Sequence, residues 1–500
     1  MHLVCLAKNG HLEIAKWLYE LGKETDSPID IHANDECGNS EYAFALSCNK
    51  GHLEVAKWLY FLGKEINSPI DIHANDGDAF KSSCMGGHLE IAKWLYDLRK
   101  GTNSPIDLHA ENEDVFIMSC ENGHLEITKW LYDSGKETDS PINIHGDNED
   151  AFIASCENGH LEIAKWLYEL GKEIDSPIDI HADDEYHDLD VFELSCMKGH
   201  LEIAKWLYEL GKEIDSPIDI HANNIFKLSC QNGYLEIAKW LYELGKEIDS
   251  PIDIHANNIF ELSCQNGHLE IAKWLYELGI EIGLPIDIHY NHDYIFTMSC
   301  GNGNLEIAKL LFELGKNIDS PIDIHAENEY AFKLSCENNH AETAKWLYNL
   351  GKEIDSPIDI YDDDIFETSC AYNHLEIAMW LYNLRKENDS PIDIHTNNDK
   401  AFRLSCENGC LKIAKWLYNL GKENDSPIDI HADNDKAFRL SCENGSLEFA
   451  KWLYNLGNET NSPIDIHADN NAFKYSYMNG NIQIAKWLRT LDESINMKKL

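Results

Sequence analysis

The sequence predicts an all-α chain, a solenoid of about 14 helix-turn-helix units joined by short extended loops. Three observations carry this. The stretch His160-Leu161-Glu162-Ile163-Ala164-Lys165-Trp166-Leu167-Tyr168-Glu169-Leu170-Gly171 recurs in 14 near-copies, with all 13 tryptophans at one position and Leu310 in the single vacancy. Successive copies lie 34–36 residues apart, apart from two intervals of 40 and 41, which is the period of stacked helical repeats. All 13 prolines fall in the segment that follows the copied stretch, and none falls within it.

Each element of the unit follows from residue chemistry, taking 149–181 as the example. Asp150 is expected to cap the first helix, its carboxylate accepting from the first-turn N–H groups. Ala151 to Cys156 then form a short helix with Phe152 and Cys156 at i and i+4, one apolar stripe. Gly159 is expected to turn the chain at positive φ. The reason is that Asn339 and Asn373 stand in that slot in two other units, and Asn best tolerates the left-handed region after Gly. The second helix places Leu161, Ala164 and Leu167 on one stripe, with Ile163 and Leu170 beside it. Gly171 is expected just past its end, with Arg99, Arg385 and Asp492 as exceptions. The Pro-Ile-Asp-Ile-His segment is extended, since Pro blocks helix and Ile favours strand-like geometry.

The run Asn158-Gly159-His160-Leu161-Glu162-Ile163-Ala164-Lys165, followed by Leu167 and Leu170-Gly171, resembles the second half of the ankyrin repeat. The first half departs from that family. Asp150-Ala151-Phe152-Ile153-Ala154-Ser155-Cys156 stands where the family carries T-P-L-H-x-A-A, so the Thr and His that brace neighbouring hairpins are absent. The Trp-Leu-Tyr form with Ser-Pro-Ile-Asp-Ile-His loops is similar to ankyrin proteins expanded in giant DNA viruses of amoebae. The resemblance covers 1–494, with 495–500 as a tail. Its units lie at about 1–24, 41–65, 77–101, 113–137, 149–173, 189–213, 223–247, 257–281, 293–317, 329–353, 363–387, 399–423, 435–459 and 470–494. It implies protein–protein recognition through loop tips and the exposed, concave side of the first helices. The other readings are a structural component of a particle, or a metal-dependent protein or enzyme.

Composition narrows the partners. Against 88 Asp and Glu stand 41 Lys and Arg, a net charge of −47. That balance repels phosphate backbones and anionic membranes and favours a basic protein partner. No apolar run approaches a membrane span, and the first residues lack the pattern of a signal peptide. Twelve of the 15 cysteines occupy one slot ten residues before the Trp position, as small buried hydrophobes do. Cys5, Cys37 and Cys410 are left as the plausible free thiols, which points to a reducing, intracellular compartment, the host cytoplasm for a viral protein. A monomer is expected.

Nothing in the sequence reads as an active site. Twelve of the 24 histidines end the Pro-Ile-Asp-Ile-His segment or its close variants, and nine follow the inter-helix Gly or Asn. A side chain present in nearly every unit suits turn and loop hydrogen bonding better than a single catalytic constellation. Cys156 and His160 should diverge rather than share a zinc ion, and Asp183–Asp190 lacks the ligand spacing of a calcium loop. No cofactor, metal or enzymatic activity is expected.

Specificity is expected where units differ. The two positions after the Cys slot vary, as in Met85, Met197, Gly301, Ala371 and Tyr372. The ninth unit departs most. Its approach carries Ile280, Ile282, Gly283, Leu284, Tyr290 and Tyr294, and its second helix has Asn304, Leu310 and Phe312 in place of His, Trp and Tyr. Met85, Met197, Ile280, Ile282, Leu284, Tyr290, Tyr294 and Tyr372 are the candidate partner-binding residues, since apolar and aromatic anchors dominate interface energy. At the ends, Leu3, Val4 and Leu6 predict fraying or an upstream start. Arg489, Asp492, Glu493, Lys498 and Lys499 predict a polar cap.

Overall fold

A computed structural model describes residues 2–25, 29–32, 41–72, 74–99, 106, 108, 110–137, 141–183, 189–467 and 471–498. Among these residues it holds 28 α-helices, two single-turn 3-10 segments and no β-strand; Asp183 and Asp190 form an isolated bridge. Two compact units divide the chain, Met1–Asp253 and Ile254–Leu500. The first contains the pairs from His2–Lys8 with Leu12–Glu24 to Ile225–Gln231 with Leu235–Glu247. The second contains those from Ile259–Gln265 with Leu269–Glu281 to Asn471–Met478 with Ile482–Lys498. No helix among the described residues is long and apolar enough to cross a membrane.

The fifth pair shows why these residues fold so. In Leu161–Glu173 the buried positions are Ile163, Ala164, Leu167, Tyr168, Leu170 and Gly171, an arc wide enough to meet helices on more than one side. Phe152, Ser155 and Cys156 of Asp150–Glu157 are buried opposite them. Glu162 lies in the first turn and Lys172 in the last, as the helix dipole favours. Gly159 joins the helices at φ +85°, and Asn339 and Asn373 adopt φ +67° in its place, as the substitution pattern requires.

Both ends of the pair correct the expectation. Gly171 lies inside the last turn rather than beyond it. A Cβ there would sit 2.7 Å from the Ser176 carbonyl oxygen, so Gly suits this close approach, although a buried Arg385 occupies the same slot in another repeat. The left-handed residue is Asp175 at φ +54°. Ser176 N–H donates to the Gly171 carbonyl at 2.9 Å and Asp175 N–H to Lys172 at 3.4 Å, a Schellman closure with Asp at C′. Asp150 is the first helical residue, and its carboxylate accepts from Asp147 N–H at 3.1 Å. Glu149, at φ +61°, holds the preceding position.

Ile178 and Ile180 of the extended segment are buried, and Asp179 between them accepts from His181 N–H at 2.9 Å. This Asx turn explains why Asp separates the two isoleucines in the recurring segment. At the chain ends, Leu3 is buried while Val4 and Leu6 are half-buried. In the last pair Phe473, Tyr477, Met478 and Ile482 are exposed, an apolar surface where a polar cap is expected. The side chains of 492–500 lie outside the described residues.

Candidate interaction surface

Three kinds of side chain tie helix pairs to their neighbours within a unit. The His after the inter-helix Gly reaches back to a carbonyl of the preceding repeat: His52 to Lys8 at 3.0 Å, His88 to Asn49 at 2.9 Å, His160 to Glu121 at 2.9 Å and His200 to Glu157 at 2.8 Å. A carbonyl only accepts, so Nε2 carries the proton. At three of the positions where another residue replaces the His, Asn304, Cys410 and Asn481, the bond survives. Asn304 Nδ2 donates to the Gln265 carbonyl at 2.7 Å, and Cys410 Sγ to that of Ala371 at 3.3 Å. Cys410 is therefore a buried bridging group and not an accessible thiol. Cys5 is exposed, and Cys37 lies outside the described residues.

The second tie is an acid that the sequence reading missed. His145 Nδ1 donates to Glu149 at 2.8 Å, and Glu149 also accepts from Asp179 N–H of the next loop at 3.2 Å. His325 and Glu329 at 2.8 Å, and His289 with Asp293 and His431 with Asp435 at 2.6 Å, repeat both bonds, while His395 meets Asp399 at 2.6 Å. The signal was a carboxylate four residues after the loop His. After the lengthened first loop the same pair is His32 with Glu41, nine residues apart, at 2.8 Å. On the other ring face His145 Nε2 meets Ser176 Oγ at 2.9 Å, and His325 meets Ser356 at 2.8 Å. These groups supply the bracing that the absent Thr and His of the first-half motif would give.

Aromatic edges form the third tie. Trp206 sits 6.1 Å from Tyr168 and 6.2 Å from Phe152 of the preceding repeat. In the second unit Trp416 sits 6.0 Å from Tyr382 and 6.2 Å from Phe366. Edge-to-face pairs at these distances contribute roughly 0.5–1.5 kcal/mol each beyond area burial. The tryptophans are mostly half-buried bridging groups rather than fully enclosed core. The slot cysteines are buried in the first helices and form no disulfide. Burial pushes their thiols up, those of Cys120, Cys230 and Cys442 to about 12, so they stay protonated and unreactive at neutral pH.

Among the described residues no cluster of three or more His, Cys, Asp or Glu is placed to hold a metal ion. His160 and Cys156 are separately engaged, the one on a neighbour's carbonyl and the other in the core. Asp184–Asp188 of the lengthened sixth loop lie outside the described residues. Its end is fixed by Asp190, which accepts from Glu193 N–H at 2.8 Å while Glu193 accepts from Asp190 N–H at 3.0 Å. Burial raises the Asp190 carboxyl to about 6.

Most recurring residues are thus consumed by the frame, and the candidates other than Ile282 lie outside it; Ile282 occupies a recurring slot that is exposed also at Ile174, Ile214, Ile248, Ile318 and Ile354. Met85 (36% exposed), Ile280 (56%), Ile282 (41%), Leu284 (59%), Tyr290 (58%) and Tyr372 (66%) are open to solvent. Met197 and Tyr294 are half-buried. The variable slot after Cys is not uniformly open, since Gly301 and Ala371 are buried in it. Ile280, Ile282, Leu284 and Tyr290 come from one short segment of the second unit. Met85 and Met197 belong to first helices of the first unit.

Antiparallel helix pairs joined at a left-handed residue and returned by an extended segment define an α-solenoid repeat protein. A family model described as ankyrin repeats (3 copies) matches residues 1–104, 80–178, 192–286 and 260–358, more than half of the chain. The chain belongs to the ankyrin-repeat family. It is similar to the crystal structure of human ASB11 ankyrin repeat domain at 15% identity and a TM-score of 0.31, over 48% of this chain and 96% of that one. No curated protein matches.

Proposed function

We propose that the chain is a non-enzymatic scaffold that binds a protein partner through Met85, Met197, Ile280, Ile282, Leu284, Tyr290, Tyr294 and Tyr372. One observation carries this reading: most recurring side chains are buried or bonded to a neighbouring repeat, while Met85, Ile280, Leu284, Tyr290 and Tyr372, which depart from the pattern, are exposed and apolar. Ankyrin repeats are in general protein-interaction scaffolds, and the net charge of −47 favours a partner with a basic surface. The reading includes a monomer in a reducing compartment, supported by buried cysteines that form no disulfide. The Trp-Leu-Tyr helices and Ser-Pro-Ile-Asp-Ile-His loops support a kinship with the ankyrin proteins of giant DNA viruses, whose partner would be a host protein.

The test is affinity capture from the native cell with wild type and the Ile282→Asp/Tyr290→Asp variant. The reading expects loss of the captured partner; unchanged capture would remove these residues from the interface.

A further inference from the structure

Several departures from the repeating pattern, up to 37 residues apart in sequence, fall around one junction of the second unit. In the first unit a groove of about 450 Å³ runs between Leu161–Glu173 and Leu201–Glu213, and its lining includes Tyr168, Lys172, Trp206, Glu213 and Ile214. The corresponding slots of the eighth and ninth repeats hold Tyr276, Ile280, Leu310, Asn317 and Ile318. A lysine, a tryptophan and a glutamate have been exchanged for Ile, Leu and Asn. Two charges are removed from one surface, and Ile280, Ile282, Leu284 and Ile318 are exposed there at 41–59%.

The rim changes with the floor. In neighbouring repeats the Lys at this slot pairs with the Glu three residues earlier: Lys212 with Glu209 at 3.1 Å, Lys246 with Glu243 at 3.0 Å and Lys316 with Glu313 at 3.1 Å. Glu277 has Ile280 at i+3 and so lacks that cation. Glu277, Glu281 and Asp287 are exposed beside the apolar residues. An apolar strip bordered by carboxylates, one of them without its usual lysine, complements a segment that is apolar on one face and basic at its flanks. A second copy of a chain carrying −47 is disfavoured by repulsion, as is an anionic membrane or a nucleic acid.

We infer that the junction of repeats eight and nine, around Ile280, Ile282, Leu284 and Ile318, is a docking site for an amphipathic protein segment with lysine or arginine flanking its apolar face. The inference rests on the binding reading above and names the chemistry of the partner at that surface.

The experiment uses the full chain and two labelled 18-residue Leu/Lys peptides of identical composition. One gathers its leucines on a single helical face, and the other scatters them. The difference between them removes the general attraction of a cationic peptide to an acidic protein. Fluorescence anisotropy should give at least about tenfold tighter binding of the faced peptide, and Ile280→Lys/Leu284→Ser should bring that ratio close to one. Glu277→Gln/Glu281→Gln should weaken binding of the faced peptide and flatten its salt dependence. Both residues of the first variant are those of the other repeats, so its urea midpoint should match wild type; should it fall, Leu284→Ser alone makes the comparison. A ratio that survives the restoring substitutions, or no preference by wild type, overturns the inference. Were that to happen while Ile282→Asp/Tyr290→Asp still lost the cellular partner, the binding reading would stand and only the amphipathic basic class would fall.

Discussion

At the residue scale, the side chain that does most to join neighbours is the acid that faces the loop histidine. Glu149 accepts from His145 and from a backbone N–H thirty residues on, so one carboxylate binds two repeats. Charge-assisted hydrogen bonds of this kind contribute roughly 1.5–3 kcal/mol, and orphaning their partners costs a similar amount. Glu149→Gln should therefore lower protection against hydrogen exchange in Asp150–Glu157 and Leu161–Glu173 by roughly 1–3 kcal/mol. Unchanged protection would make the pair incidental. Asp190 gives a pH signature. Its carboxyl is raised to about 6 by burial, against about 3.9 for an unfolded chain. The folded state holds the proton to higher pH, so its ionisation destabilises the fold as pH rises from about 4 to about 6, with no further change above. Asp190→Asn keeps an acceptor for Glu193 N–H and removes the charge. Its urea midpoint should exceed that of wild type at pH 7.5 and converge on it at pH 4; a larger deficit at pH 7.5 than at pH 4 would reverse the assignment.

At the element scale, the helix ends separate what the sequence could reveal from what it could not. The inter-helix turn was legible because Asn replaces Gly there at two positions, and the left-handed region explains both. Gly171 was misread because Gly serves two purposes, left-handed backbone and close approach, and only coordinates distinguish them. The better signal was four residues on. The slots of Asp175, Asn67, Asn461 and Gly283 carry only residues that tolerate φ near +55 to +75°. Gly283 looked irregular in the sequence, but it is the least strained occupant of that slot. A Cβ there meets nothing within 4 Å, so Gly283→Asp isolates the backbone term. It should cost about 0.5–1 kcal/mol, and Asp175→Gly should gain a similar amount, both read from local exchange protection. Equal stability in both would show that the left-handed conformation is not held in solution. Glu149 and Asp150 are adjacent acids, and residue type alone does not say which of them precedes the first helical turn. The His-x-x-x-Glu spacing that decides between them pairs residues across a turn that neither helix nor strand periodicity describes.

At the scale of the whole molecule, a repeating chain separates its own frame from its message. Each repeat buries its apolar face on neighbours, and the recurring His, Trp, Cys and acid are used up in doing so. The division was visible from the sequence, because fourteen copies supply the comparison that a single sequence ordinarily lacks. Exposure was not visible. Met197 and Tyr294 are half-buried, and Gly301 and Ala371 buried, in slots that vary as freely as the exposed ones. The direct test restores the common pattern where the chain departs from it most, with Ile280→Lys, Leu284→Ser, Asn304→His and Leu310→Trp in one variant. Quantitative affinity capture from the native cell then compares this chain with wild type. The account predicts that the proteins enriched on wild type fall by about tenfold or more on the restored chain, while its urea midpoint is held or raised. The same proteins captured at the same level by both would contradict it.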